Sequence, residues 1–98
     1  MSNYIYKIVP KRAGFAESWT PEEETVMAQH FQYLKQLLAN GALVLAGPCT
    51  DAAFGIVIIE AESSGQATEI AKADPAIAGG VMSYELHDFR ISLFRSGF

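Results

Sequence analysis

TPEEETVMAQHFQYLKQLLANG, running from Thr20 to Gly41, carries its own start, face and stop. Thr20 is placed to cap a helix, Pro21 suits the first turn, and Glu23 completes a capping box with Thr20. Glu22, Glu23 and Glu24 favour the positive end of the helix dipole. Asn40-Gly41 ends the segment, since glycine readily takes the left-handed conformation of a C-terminal cap. Inside these limits Met27, Phe31, Leu34, Leu37 and Leu38 recur at three- and four-residue steps, the pattern of a helix with one buried face. His30 lies on that face between Met27 and Leu34, so its imidazole points into the body of the protein. A polar ring placed there needs a partner.

Working outward, Tyr4 to Val9 is dense in β-branched and aromatic residues and reads as a strand ended by Pro10. Lys11 to Trp19 forms a loop into the helix. Leu43 to Ala46 reads as a second strand ending at Gly47-Pro48, and Gly55 to Ala61 as a third. Ser63 with Gln66 forms another capping box, opening a helix from Ser64 to Ala73 whose buried face is Ala67, Ile70 and Ala71. Asp74-Pro75 starts a further turn or one-turn helix, closed by Gly79-Gly80, and Val81 to Phe94 is a long last strand. Strand, helix, strand, strand, helix, strand is the ferredoxin-like βαββαβ order of an α+β fold: a four-stranded antiparallel sheet with two helices on one face. The first strand has apolar residues on both parities, Tyr4, Tyr6 and Ile8 against Ile5 and Val9. Both sheet faces are therefore expected to be buried, the second by a partner copy in a homodimer.

Composition narrows the function classes. The 98 residues make one domain, half apolar and 18% charged, which leaves little charge to cover a monomer's exterior. A net charge of −4 with a pI near 5 argues against a nucleic-acid partner, which selects a basic face. No apolar stretch approaches the ~20 residues of a membrane span. No secretory signal pattern opens the chain, so a cytoplasmic location is expected. Cys49, the single cysteine, has no basic neighbour to activate it, and no cluster of metal ligands or phosphate-binding loop is present. No cofactor and no metal are expected.

Two readings of His30 stand at this point: a neutral core histidine bonded to a carbonyl, or a general acid or base with a pKa near neutrality. Asp74 is likewise double. Aspartate before proline is pushed into the extended conformation of an N-cap, and the same carboxylate can orient a histidine and stabilise its charged form. Gly47 would let a ligand approach the backbone closely. Asp51 is read as solvated in its turn, and Trp19 as packing locally or as a lid. His87 and Asp88 point to opposite sheet faces, and His87 is assigned a structural or interface role.

Taken in order, His30-Phe31-Gln32-Tyr33-Leu34, Leu37, Gly41-Ala42-Leu43, Ala46-Gly47-Pro48, Gly55 and Asp74-Pro75 resemble the YCII-related (YciI-like) family. Glu85 and Phe89 fall where that family's last strand has similar residues, and the resemblance spans Tyr4 to Phe94 as a single domain. It implies a dimeric α+β barrel made by packing two ferredoxin-like sheets, with a catalytic histidine–aspartate pair at His30 and Asp74. It also implies lyase or isomerase chemistry, since one member is a dehydrochlorinase on a hydroxyquinol-type ring and relatives of the barrel class include muconolactone isomerases. One departure is Gln29, where many members have an aspartate before the histidine. The expected activity is cofactor-independent acid–base chemistry on a small cyclic or aromatic organic acid or phenol. Tyr33, Gly47, Pro48 and Arg90 are the expected substrate contacts. The alternative is a non-catalytic dimeric module that binds a small molecule or assists a neighbouring enzyme, with His30 a core residue and Asp74 a cap.

Overall fold

The computed structural model describes residues 1–95. Its elements are β1 (Ser2–Pro10), α1 (Pro21–Ala39), β2 (Leu43–Pro48), β3 (Gly55–Ala61), α2 (Ser64–Ala73), the single turn α3 (Pro75–Ala78) and β4 (Met82–Phe89). The four strands form one sheet in the order β2-β3-β1-β4, every neighbouring pair antiparallel. This is the ferredoxin-like arrangement expected from the order of elements, with α3 added between α2 and β4.

Local signals explain where the helices begin and end. The Thr20 hydroxyl accepts from the Glu23 N–H while the Glu23 carboxylate accepts from the Thr20 N–H, so the capping box is complete. Asn40 caps the other end, and Gly41 follows at φ +86°, in the left-handed region. At α2 the box is altered. Ser63 Oγ accepts from the Gln66 N–H, but the Gln66 side chain reaches one residue further back, to the Glu62 N–H. Asp74 ends α2 with its backbone and starts α3 with its side chain, at φ −62° and ψ 124°. That extended conformation is what the following proline imposes.

The helix-facing side of the sheet carries Tyr4, Tyr6 and Ile8 from β1 and Val57, Ile59 and Ala61 from β3, all buried. Leu34 and Leu37 of α1, Ala67 and Ala71 of α2, and Ala76 of α3 close the same core. The opposite face presents Ile5 and Val9 of β1 and Ile56 of β3, each half-buried. Two expectations change. Phe31 and Leu38 are 58% and 59% exposed, because they lie on the flank of the α1 stripe and overhang its edge. The last strand ends at Phe89 rather than Phe94: Phe89 pairs with Asn3, and β1 begins only one residue earlier, so its partner strand runs out.

Gly79 sets the approach of α3 to α1. A Cβ built there would sit 2.8 Å from the Pro75 carbonyl oxygen and 3.3 Å from both γ-carbons of Val26. Gly79→Ala should therefore wedge α3, and Asp74 with it, away from α1. The expected loss is about 1–3 kcal/mol, the usual range for an overpacked contact, read as a lowered unfolding midpoint in urea.

Candidate active site

Asp74 is fully buried and is held by groups from three elements. Its Oδ1 accepts from the Ala76 N–H at 2.9 Å, the cap of α3, and lies 2.7 Å from His30 Nδ1 of α1. Its Oδ2 accepts from the Tyr6 hydroxyl of β1 at 2.8 Å. The cap and the histidine partner thus coexist on one carboxylate. His30 is 8% exposed and lies on the α1 face that meets α3 and the sheet. Because Tyr6 and Ala76 can only donate to an ionised Asp74, the simplest proton arrangement places a hydrogen on His30 Nδ1. His30 Nε2 has no protein partner among the described residues. As no fully buried side-chain nitrogen or oxygen there lacks one, Nε2 is reachable by solvent.

What His30 reaches is a cleft of about 1110 Å³ between α1, the loop after β1 and the β2–β3 hairpin. The walls are largely apolar, with Met27, Phe31 and Leu34 on one side and Leu43 and Ala46 on another. Glu24 and Lys35 are the charged residues of the lining, and the Lys35 ammonium lies 5.1 Å from the centre of the Phe31 ring. Burial, with the negative charge of Asp74 next, pushes the Tyr6 phenol far above its ordinary pKa. Burial and the same charge also raise Tyr33.

The structure brings some of the expected residues together and separates others. His30, Gly47 and Pro48 share the cleft, with Asp74 directly behind His30. Tyr33 does not line it: its hydroxyl donates to the Ile70 carbonyl at 2.7 Å, and its ring borders a shallower groove with Gln29, Gln32 and Pro75. Gln29 therefore faces a different surface from the cleft. Arg90 is exposed one residue past β4 and is not part of the cleft lining: β4 meets the cleft at its other end, through Met82 paired with Pro10, whereas Arg90 follows Phe89, which pairs with Asn3. Asp51 closes its own turn by accepting from the Ala53 N–H, and His87 is exposed near Glu85 on the sheet face away from the helices. Cys49 is a free, half-buried thiol in the cleft wall.

Sequence reasoning missed Tyr6, Phe15 and Arg12. Tyr6 shares its parity with Tyr4 and Ile8, and a buried tyrosine hydroxyl must find a partner, which was the available signal. Phe15, inside the loop, is 5% exposed and packs against Trp19 with ring centres 5.6 Å apart, so Trp19 packs locally while also walling the cleft. Arg12 grips the Glu23 carboxylate with two hydrogen bonds, of 2.9 and 2.6 Å, and donates to the Ser18 carbonyl.

A family model described as YCII-related domain matches residues 5–90. The chain belongs to the YCII-related family. Among relatives of this YCII-related domain is the uncharacterized protein YjpA of Bacillus subtilis (strain 168). It is 35% identical over 65 residues, covering 66% of this chain and 76% of YjpA. A solved structure of similar shape is 5-chloro-2-hydroxyhydroquinone dehydrochlorinase (TftG) from Burkholderia phenoliruptrix AC1100, in complex with 2,5-dihydroxybenzoquinone. It superposes with a TM-score of 0.66 at 20% identity, over 89% of this chain and 93% of TftG, a likeness of fold. No described helix of the YCII-related domain is long and apolar enough to cross a membrane. No group of three or more histidine, cysteine or acidic side chains among the described residues is arranged to hold a metal ion.

The Arg12 clasp has a measurable consequence for the cleft wall. The Arg12 hydrogen bonds, then the Thr20 N–H, hold the Glu23 carboxyl down at about 2. A carboxylate whose folded pKa is depressed contributes above its unfolded value and loses that contribution as the pH falls through the folded one. Trp19, the chain's single tryptophan, reports on this. Acrylamide quenching of Trp19 should stay constant from neutral pH to well below the ordinary carboxylate range in the native chain. In Arg12→Ala it should already be stronger at neutral pH. Equal quenching in the two proteins would mean that the clasp does not hold the loop.

Proposed function

We propose that this YCII-related domain is a cofactor-independent enzyme that moves a proton on a small ring compound held in the cleft, with His30 as the acid–base group. The observation that carries the reading is the 2.7 Å contact of His30 Nδ1 with the fully buried Asp74, which turns the free Nε2 toward an apolar cleft. Asp74 keeps the hydrogen on Nδ1, so Nε2 offers a lone pair. Nε2 takes a proton from an acidic O–H or C–H of the substrate, and Asp74 stabilises the imidazolium that results. The electron pair left on the substrate either expels a leaving group such as chloride, giving elimination, or shifts along the ring until the proton is returned at another atom, giving isomerisation. Gly47 and Pro48 form part of the wall against which the ring rests.

The name and ligand of TftG supply the compounds to try first, 5-chloro-2-hydroxyhydroquinone as substrate and 2,5-dihydroxybenzoquinone as ligand, with turnover followed by chloride release and by exchange of ring protons in deuterated water. Turnover should fall by about 10²–10⁴ in His30→Gln with the fold intact, as for loss of a positioned acid–base group. Asp74→Asn should also lower it. Undiminished turnover in His30→Gln would overturn the reading.

The non-catalytic alternative has one observation in its favour, the Asp74 cap on Ala76. It predicts that replacing Asp74 lowers stability, by about 0.5–2 kcal/mol for a lost cap, without affecting any ligand. Ligand binding that depends on His30 separates the two.

The reading includes a homodimer. It is supported by the half-buried apolar side chains of the sheet face that the helices leave open, Ile5, Val9 and Ile56. Sedimentation equilibrium should give twice the chain mass, and Ile5→Lys should shift it toward the monomer. A native chain that sediments as a monomer at micromolar concentration would remove this part of the proposal.

A further inference from the structure

Asp74 has one more donor than capping and histidine pairing require. Oδ1 serves both the Ala76 N–H and His30, while Oδ2 is given to the Tyr6 hydroxyl. A buried tyrosine must place its hydroxyl somewhere, and a backbone carbonyl would suffice, as it does for Tyr33. Here the acceptor is the carboxylate that contacts the imidazole. Each hydrogen bond onto an ionised carboxylate takes up part of its charge. What Tyr6 and Ala76 take up is no longer available to hold a second proton on His30.

We propose that Tyr6 is a positioning residue that acts on His30 through Asp74. By donating to Oδ2 it fixes the carboxylate plane so that Oδ1 meets Nδ1, and it limits how strongly Asp74 retains the imidazolium, so that the ring returns to its neutral form with a lone pair on Nε2. As a part of catalysis this rests on the acid–base reading of His30; as a property of the ring it stands on geometry. Tyr6 is suited to the task because burial and the neighbouring charge keep its phenol protonated, a donor that does not titrate alongside the ring.

Other groups face the cluster from the surrounding elements. Tyr33 of α1 lies within reach of the Asp74 charge, with its hydroxyl on Ile70 of α2. Glu24 and Lys35 of α1 and Cys49 after β2 share the cleft with His30. All of these are the same in every protein compared below, so they do not contribute to a difference between them.

The test is an NMR titration of the His30 ring in a His87→Gln background, where His30 is the remaining histidine. Three proteins are compared: native Tyr6, Tyr6→Phe, and a chain carrying a fluorinated tyrosine at position 6, whose hydroxyl is a stronger donor of nearly the same shape. The midpoint should be highest in Tyr6→Phe and lowest with the fluorinated ring, the spread being on the order of one pH unit. The fluorinated protein should keep the native melting temperature while its midpoint moves. A purely structural Tyr6 would lower the melting temperature of Tyr6→Phe and leave the midpoint unmoved. Identical midpoints in the native and fluorinated proteins overturn the proposal, whether or not Tyr6→Phe folds. No turnover is measured, so that result would leave the catalytic reading of His30 intact, and failure of the catalytic reading would leave this result intact.

Discussion

A carboxylate with no exposure to water is the constraint around which this molecule is arranged. An ionised Asp74 would be strongly unfavourable in the core without hydrogen bonds and a partner able to bear positive charge. Three elements supply them. β1 sends Tyr6, α1 sends His30, and α3 offers the Ala76 N–H, so the demand of one side chain fixes the relative placement of the sheet, the long helix and the one-turn helix. Glycine at position 79, with no side chain to hold α3 off Val26, belongs to the same arrangement.

The cleft draws its chemistry from this cluster and its shape from elsewhere. Its walls come from the flank of α1, the loop after β1 and the β2–β3 hairpin, where Phe31, Trp19 and Pro48 stand exposed to solvent. Glu23 joins the two regions, since the carboxylate that closes the capping box of α1 also receives Arg12 from the loop. One acidic residue thereby starts the helix that carries His30 and anchors the segment that bears Phe15 and Trp19.

How much of this was legible in the sequence depended on the range of the interaction. The limits of α1 and α2 follow from Thr20, Glu23, Asn40 and Ser63, whose effects act within a turn, and the structure places both helices there. The βαββαβ order came from periodicity, which also acts locally. His30 could be seen to face inward, and Asp74 to be a cap, but their contact is a meeting of residues distant in sequence. The resemblance to the YCII-related family paired them, where periodicity alone left both readings open. Tyr6 went unnoticed because a strand pattern shows that a tyrosine is buried and not what its hydroxyl touches. Arg90 stands outside the cleft for a related reason: the antiparallel pairing of β4 with β1 puts Met82 beside the cleft and Phe89 at the far end of the sheet, which β4's own composition does not record.

The bonds of Asp74 connect points far apart along the chain, 44 residues to His30 and 68 to Tyr6. Contacts of such separation close long loops, and the chain entropy lost in closing them is set against the bonds that result. Assembly of the site is in this sense a record that β1, α1 and α3 have all reached their final places.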